Sequence, residues 1–193
     1  MIQVHRPIIL RYVSHMQITF PLVRILTTSN ESGSSGSDSS RGVPAVHPLL
    51  QYDRAGRLHF DITQPPRYIL FRRPADIREL AFYPPVSLVY IRVPGQRAWS
   101  FSVENPRGIT LKDVMDAIYQ QMQWPLPPSE FMKLQDDKRS AAARSYQTRT
   151  ANDPVEYGQG VRRLDCLHPN VLFVGLSLDI DGVAWNLNFA SGY

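Results

Sequence analysis

Residues 109–123 read Ile109-Thr110-Leu111-Lys112-Asp113-Val114-Met115-Asp116-Ala117-Ile118-Tyr119-Gln120-Gln121-Met122-Gln123. Thr110 has the chemistry of a helix N-cap, because its hydroxyl can accept from a first-turn N–H. Asp113 stands where a capping box places an acidic side chain, and Ile109 and Val114 are spaced for a hydrophobic staple. Leu111, Val114, Met115, Ile118, Tyr119 and Met122 recur every three or four residues and share one face. Trp124-Pro125-Leu126-Pro127-Pro128 cannot continue a helix. The spacing predicts a helix over 110–122, and its single apolar face needs another layer to cover it.

Strand signals lie on both sides. Upstream, Val86-Ser87-Leu88-Val89-Tyr90-Ile91-Arg92-Val93 is apolar and β-branched almost throughout, as in a central strand. Pro94-Gly95 stops it, and Trp99, Phe101 and Val103 then alternate with Ser100 and Ser102. Asn105-Pro106-Arg107-Gly108 reads as a tight connection into the capped helix. Further back, Leu58-His59-Phe60-Asp61-Ile62 alternates with period two, and Tyr68-Ile69-Leu70-Phe71 is a short apolar run beyond Pro65-Pro66. Downstream, Ser129 can cap a second helical stretch over 130–149, weakly amphipathic and broken near Asp136-Asp137. Val171–Leu178 is a strand pattern, and Asp181-Gly182 signals a two-residue hairpin. Val183, Trp185, Leu187 and Phe189 would then face the core, with Ala184, Asn186 and Asn188 outside. This order predicts an α+β fold: a mainly antiparallel sheet with two or three helices packed on one face.

The 193 residues are 43% hydrophobic and 20% charged, a globular balance. Composition shifts near residue 30. Residues 31–42 are almost wholly Ser, Gly and charge, which cannot build a core, so they read as a flexible linker. It divides an N-terminal extension (1–30) from a single α+β domain (43–193). The extension carries Arg6, Arg11 and Arg24 with no acidic residue, as an organelle transit peptide does, but Pro7 and Pro21 oppose the helix such a peptide needs. The other readings are a strand added to the domain, a docking segment, or sequence outside the natural fold, and a poorly ordered or loosely docked extension is the one we favour. Asn30-Glu31-Ser32 is a glycosylation sequon that matters only in a secreted chain. No apolar stretch approaches bilayer length. The expected compartment is the cytoplasm or nucleus, with organelle import through the extension as the alternative.

Several pieces occur together in one order: His47-Pro48-Leu49-Leu50, Leu58–Ile62 with Pro65-Pro66, Trp99–Val103, Asn105–Val114, Ile118-Tyr119, Arg162-Arg163-Leu164-Asp165, and Phe173-Val174-Gly175-Leu176. Over about residues 43–178 the chain resembles a fungal family of small proteins that share a domain of unknown function. That resemblance supports the domain boundaries and implies no catalytic residue.

The residues that could carry chemistry are few. Cys166 and His168 are two apart and would share a strand face, which makes a nucleophilic dyad conceivable. The plainer reading, which we favour, is a small buried Cys166 with His168 in a turn begun by Pro169-Asn170. His59 and Asp61 likewise share a face and could move protons, but two ligands hold no metal, and no third is evident among His47 and Asp165. Their plainer reading is an exposed polar strand face. One cysteine excludes an intrachain disulfide and a multi-cysteine zinc site. Gly158-Gln159-Gly160 lacks the third glycine of a dinucleotide loop and reads as a turn. Trp99, Trp124 and Trp185 read as packing, with an aromatic ligand cage as the alternative. No metal or other cofactor is expected.

The net charge is +4, and of 21 basic residues only Lys112, Lys133 and Lys138 are lysine. Lys133, Lys138, Arg139, Arg144 and Arg149 form a basic helical region, by its usual meaning a solvated face and otherwise a surface for an acidic partner. The leading functional expectation is a non-catalytic module that binds an unknown protein or peptide, through a sheet edge or this region. The alternatives are a small enzyme built on Cys166/His168 or His59/Asp61, and nucleic-acid binding through 133–149.

Overall fold

The computed structural model describes residues 42–52, 58, 60–68 and 76–192. The extension 1–30, the linker through residue 41, His59 and the Ile69-Leu70-Phe71 run lie outside the described residues. In chain order the strands and helices are β1 (Ala45–Val46), β2 (Phe60–Asp61), β3 (Phe82–Tyr83), β4 (Leu88–Arg92), β5 (Phe101–Glu104), α1 (Leu111–Gln123), α2 (Pro128–Phe131), α3 (Asp136–Thr150), α4 (Pro154–Gly158), β6 (Leu172–Leu178) and β7 (Ala184–Ala190). Short 3-10 turns lie at Pro66–Tyr68, Arg97–Trp99 and Arg163–Cys166.

α1 begins as its sequence dictates. The Thr110 hydroxyl accepts from Asp113 N–H at 3.2 Å, and the Asp113 carboxylate accepts from Thr110 N–H at 2.9 Å. The N–H groups of Leu111 and Lys112 donate to the carbonyls of Glu79 and Ile77 at 2.9 and 2.8 Å. The early N–H groups that a helix leaves without internal acceptors are thus satisfied. Asn105 adds a bond from its amide to Asp113 at 2.7 Å, tying the preceding turn to the cap. Gly108 in that turn has φ +103, and a Cβ there would lie 2.8 Å from the Leu80 side chain.

The main sheet has the order β2-β6-β7-β4-β5, and β1 and β3 pair separately. Ile91 stands opposite Trp185 in a parallel β4–β7 pair, beside antiparallel β4–β5, β6–β7 and β2–β6 pairs. The sheet is therefore mixed, which corrects the expectation of a mainly antiparallel one. The cause is connectivity. After β5 the chain passes through all the helices and then runs back along β6, so β7 enters the sheet in the same direction as β4. The helix number is corrected too. There are four α-helices among the described residues, because 130–149 divides at Met132–Gln135 into α2 and α3, and α4 follows.

Leu58, Phe60, Ile62, Val89, Ile91, Trp99, Phe101 and Val103 are buried, as their alternation requires. They pack with Leu111, Val114, Met115, Ile118 and Met122 of α1. The C-terminal hairpin departs from its reading. Its strands separate after Leu178 and resume at Ala184, and Gly182 N–H donates to the Asp179 carbonyl at 2.9 Å. Asp179 and Asp181 both pair with Arg92, which widens the loop and leaves Val183 exposed. Ala184, expected outside, is fully buried at the start of β7. Gly175 is fixed by crowding. Leu50–Tyr52 runs against β6, and a Cβ at this φ of +132 would sit 2.5 Å from Tyr52 Cα.

Candidate functional site

α1 ends where Pro125 forces Trp124 into extended backbone, with φ −64 and ψ 136. The chain then pairs briefly with residues near Arg162: Leu126 N–H donates to the Val161 carbonyl at 2.7 Å, and Arg163 N–H to the Trp124 carbonyl at 3.0 Å. These contacts set the last turn of α1 beside the segment that follows α4. Between them lies a cleft, wide open to solvent and about 560 Å³ in volume, lined by Tyr119, Gln120, Gln123, Trp124, Pro125, Glu156 and Arg162. One wall is aromatic and prolyl. The other is ionic.

The ionic wall is organised by Asp165, whose side chain is 0% exposed. Its carboxylate accepts from Arg149 Nε at 3.0 Å and Arg149 Nη2 at 2.8 Å, a bidentate fork. It also accepts from the backbone N–H of Arg162 at 2.8 Å. Desolvating a carboxylate costs several kcal/mol, on the order offset by such a charged fork with its extra bonds. The hydrogen bond to Asp165 raises the pKa of Arg149 above its ordinary value against the opposing effect of burial, so Arg149 stays charged. Arg149 also donates to the Gly160 carbonyl at 3.1 Å.

Glu156 lies on the cleft side of this core and is shared by two arginines. Its Oε2 is 2.7 Å from Arg149 Nη1 and 2.7 Å from Arg162 Nη2, and its Oε1 is 2.9 Å from Arg162 Nη2. Arg162 is steadied from α1 by Gln123 Oε1 at 2.8 Å, and the Gln123 amide donates to the Ile62 carbonyl at 3.0 Å. α4 begins at Asp153, whose carboxylate accepts from Val155 and Glu156 N–H at 2.9 and 3.1 Å. It buries none of its side chains.

The residues singled out from sequence are placed as follows. Cys166 ends the Arg163–Cys166 turn and its thiol faces the Arg162 carbonyl at 3.9 Å. Burial, then the charge of Asp165, pushes the thiol up to about 12, so it is protonated at neutral pH. His168 is exposed in a turn before Pro169, so the two do not share a strand face. Asp61 caps its own turn by accepting from Thr63 N–H at 2.9 Å. His47 accepts from Leu49 N–H at Nδ1 and meets Glu79 through Nε2, each at 3.1 Å. Among the described residues, no group of three His, Cys, Asp or Glu is placed to hold a metal ion. No described helix is long and apolar enough to cross a membrane.

The basic region is divided. Lys133, Lys138 and Arg144 are exposed, Arg139 pairs with Asp136 at 2.5 Å, and Arg149 turns inward to Asp165 and Glu156. Two tryptophans flank Arg163, whose guanidinium carbon lies 5.5 Å from the Trp99 ring centre and 6.0 Å from that of Trp124. The indole N–H of Trp99 donates to Glu130 at 3.3 Å. Trp185 packs on Phe82 with ring centres 5.5 Å apart. Sequence reasoning missed Glu156, Gln123 and Arg162 as a group. The usable signal was the Arg162-Arg163-Leu164-Asp165 stretch, where an acid stands three residues after a backbone N–H that it accepts from.

Neither a curated protein nor a solved structure matches the chain. Residues 58–183, well over half of its length, match the model described as a family of unknown function (DUF6699), and the chain belongs to that family.

Proposed function

We propose that the protein is a non-catalytic module that binds a segment of another protein in the cleft between the end of α1 and α4. The observation that carries this reading is the cleft itself. It sets Tyr119, Trp124 and Pro125 against Gln120, Gln123, Glu156 and Arg162 in about 560 Å³. Aromatic area beside a few fixed polar groups suits a peptide chain, which offers apolar side chains and regularly spaced amides. The protonated thiol of Cys166 supports leaving it out of the function. The inward turn of Arg149 supports the cleft over a continuous basic stripe on 133–149. We also propose a fungal source, a cytoplasmic or nuclear compartment, and the division into an extension (1–30), a linker (31–42) and one domain (43–193).

The test is selection of peptides from a random library on the full chain, followed by affinities for Tyr119→Ala, Gln120→Ala and the distant control Val183→Ala. A central aromatic contact is worth about 2 kcal/mol or more, so Tyr119→Ala should weaken the selected peptides at least about tenfold while Val183→Ala leaves them unchanged. Selected peptides insensitive to both cleft substitutions would place binding elsewhere and sink the reading.

A further inference from the structure

Glu156 occupies its arginines in the way a ligand would. Two guanidinium groups from different elements, Arg149 on α3 and Arg162 before the Arg163–Cys166 turn, converge on one carboxylate at the edge of the cleft. Both are held from behind by other partners. Arg149 is clamped by Asp165, and Arg162 by Gln123 and by its own backbone N–H on Asp165. If Glu156 leaves, Arg149 keeps Asp165 and Arg162 keeps Gln123, although Gln159 at the end of α4 also holds Arg162. The retained partners give part of the preorganisation that recognition of a carboxylate needs. The element bearing Glu156 is held mainly by polar contacts and hardly by burial. α4 is five residues long, buries no side chain, and exposes Val155 at 73% and Tyr157 at 63%. Besides the Glu156 pairs, the Tyr157 carbonyl takes a bond from the Tyr146 hydroxyl at 2.7 Å, the two tyrosine rings lie 5.6 Å apart, and Gln159 at the end of α4 accepts from Arg162 Nη2.

The charge balance selects the ligand. Arg149 and Asp165 cancel, and Arg162 and Glu156 cancel. Withdrawing Glu156 leaves one positive charge beside an aromatic and prolyl wall. We propose that Glu156 is a built-in stand-in for a partner's carboxylate: an acidic side chain of a bound protein segment displaces it from the Arg149–Arg162 fork, and α4 swings away as it does so. This rests on the cleft reading above and names the chemistry of its partner. It also makes the site self-blocking, since the internal carboxylate lowers apparent affinity by the fraction of molecules in which it is seated.

The experiment uses the full chain and two pools of random decapeptides, identical except that one fixed central position is Glu in the first pool and Gln in the second. Binding is measured for the wild type, Glu156→Gln and Arg162→Gln, with amide hydrogen exchange over residues 154–158 read on the wild type with and without peptide. The wild type is expected to favour the Glu pool about tenfold or more. Glu156→Gln should strengthen Glu-pool binding by about tenfold, and Arg162→Gln should abolish the preference. Exchange at 154–158 should speed up on binding, because α4 is released. Should Glu156→Gln fail to fold, the wild-type pool comparison and the exchange readout decide alone. Equal binding of both pools overturns the carboxylate inference while leaving the cleft reading in place. Slower or unchanged exchange at 154–158 makes Glu156 an ordinary structural ion pair. Competition by inorganic phosphate at lower concentration than acetate overturns the choice of carboxylate. Failure of either pool to bind any variant removes this inference and the cleft reading together.

Discussion

Each turn of α1 buries apolar side chains, with Leu111, Val114, Ile118 and Met122 at 1% exposure or less. α4, across the cleft, buries none, and α3 buries only Ala142 and Thr150. The two sides of one cleft are thus held by different forces. α1 is part of the core and cannot leave it without opening the sheet. The segment from Arg149 to Cys166 is organised by Asp165, Arg149, Arg162 and Glu156, with Leu164 as its buried apolar anchor. Elements with few buried apolar contacts open locally at a fraction of the global unfolding free energy. The difference assigns roles: α1 supplies a rigid wall, and α4 supplies one that can move.

The strongest way to break this contrast is at Asp165. Asp165→Ala leaves the Arg149 guanidinium partly buried without its fork, and should cost about 3–5 kcal/mol in denaturant unfolding. A loss under about 1 kcal/mol would show that the ionic segment does not depend on its buried carboxylate. Ile118→Ala attacks the other wall and should cost about 3 kcal/mol through lost burial and a cavity. Thr110→Ala removes the α1 cap and should cost about 1 kcal/mol, read from the same unfolding curves. Glu156→Gln sharpens the comparison from the weak side. The Glu156 side chain is 29% exposed, but Gln keeps an acceptor for both arginines, which retain Asp165 and Gln123 as partners, so the substitution should cost about 1 kcal/mol. Alkylation adds a kinetic check. Cys166 should label slowly at neutral pH in the folded protein and quickly once unfolded, because the folded thiol is protonated and partly buried.

Local features were readable from sequence where one residue satisfies a near neighbour. The Thr110/Asp113 cap, the α1 face and the alternation through Phe101 and Val103 all act within a few residues, so their pattern is printed along the chain. Tyr119 was placed on the apolar face and lies at its margin, half-buried, where the cleft begins. The parallel β4–β7 pair was not legible, because it joins strands about ninety residues apart and depends on the path between them. Nor was the ionic wall. Arg149 and Asp165 are 16 residues apart and look in sequence like two members of ordinary charge runs. α4 has no apolar stripe for a pattern to report, and its Glu156 acquires meaning only when Arg149 and Arg162 meet on it.

Residue-resolved amide hydrogen exchange on the wild type and Glu156→Gln tests most directly whether the Glu156 pairs are the main hold on α4 while the core holds α1. In the wild type, residues 154–158 should exchange through local opening, well below the protection of residues 114–122. Glu156→Gln should cut protection at 154–158 by about tenfold and leave 114–122 unchanged. Equal loss in both segments, or equal protection in the wild type, would make α4 part of the same cooperative unit as α1 and contradict a movable wall.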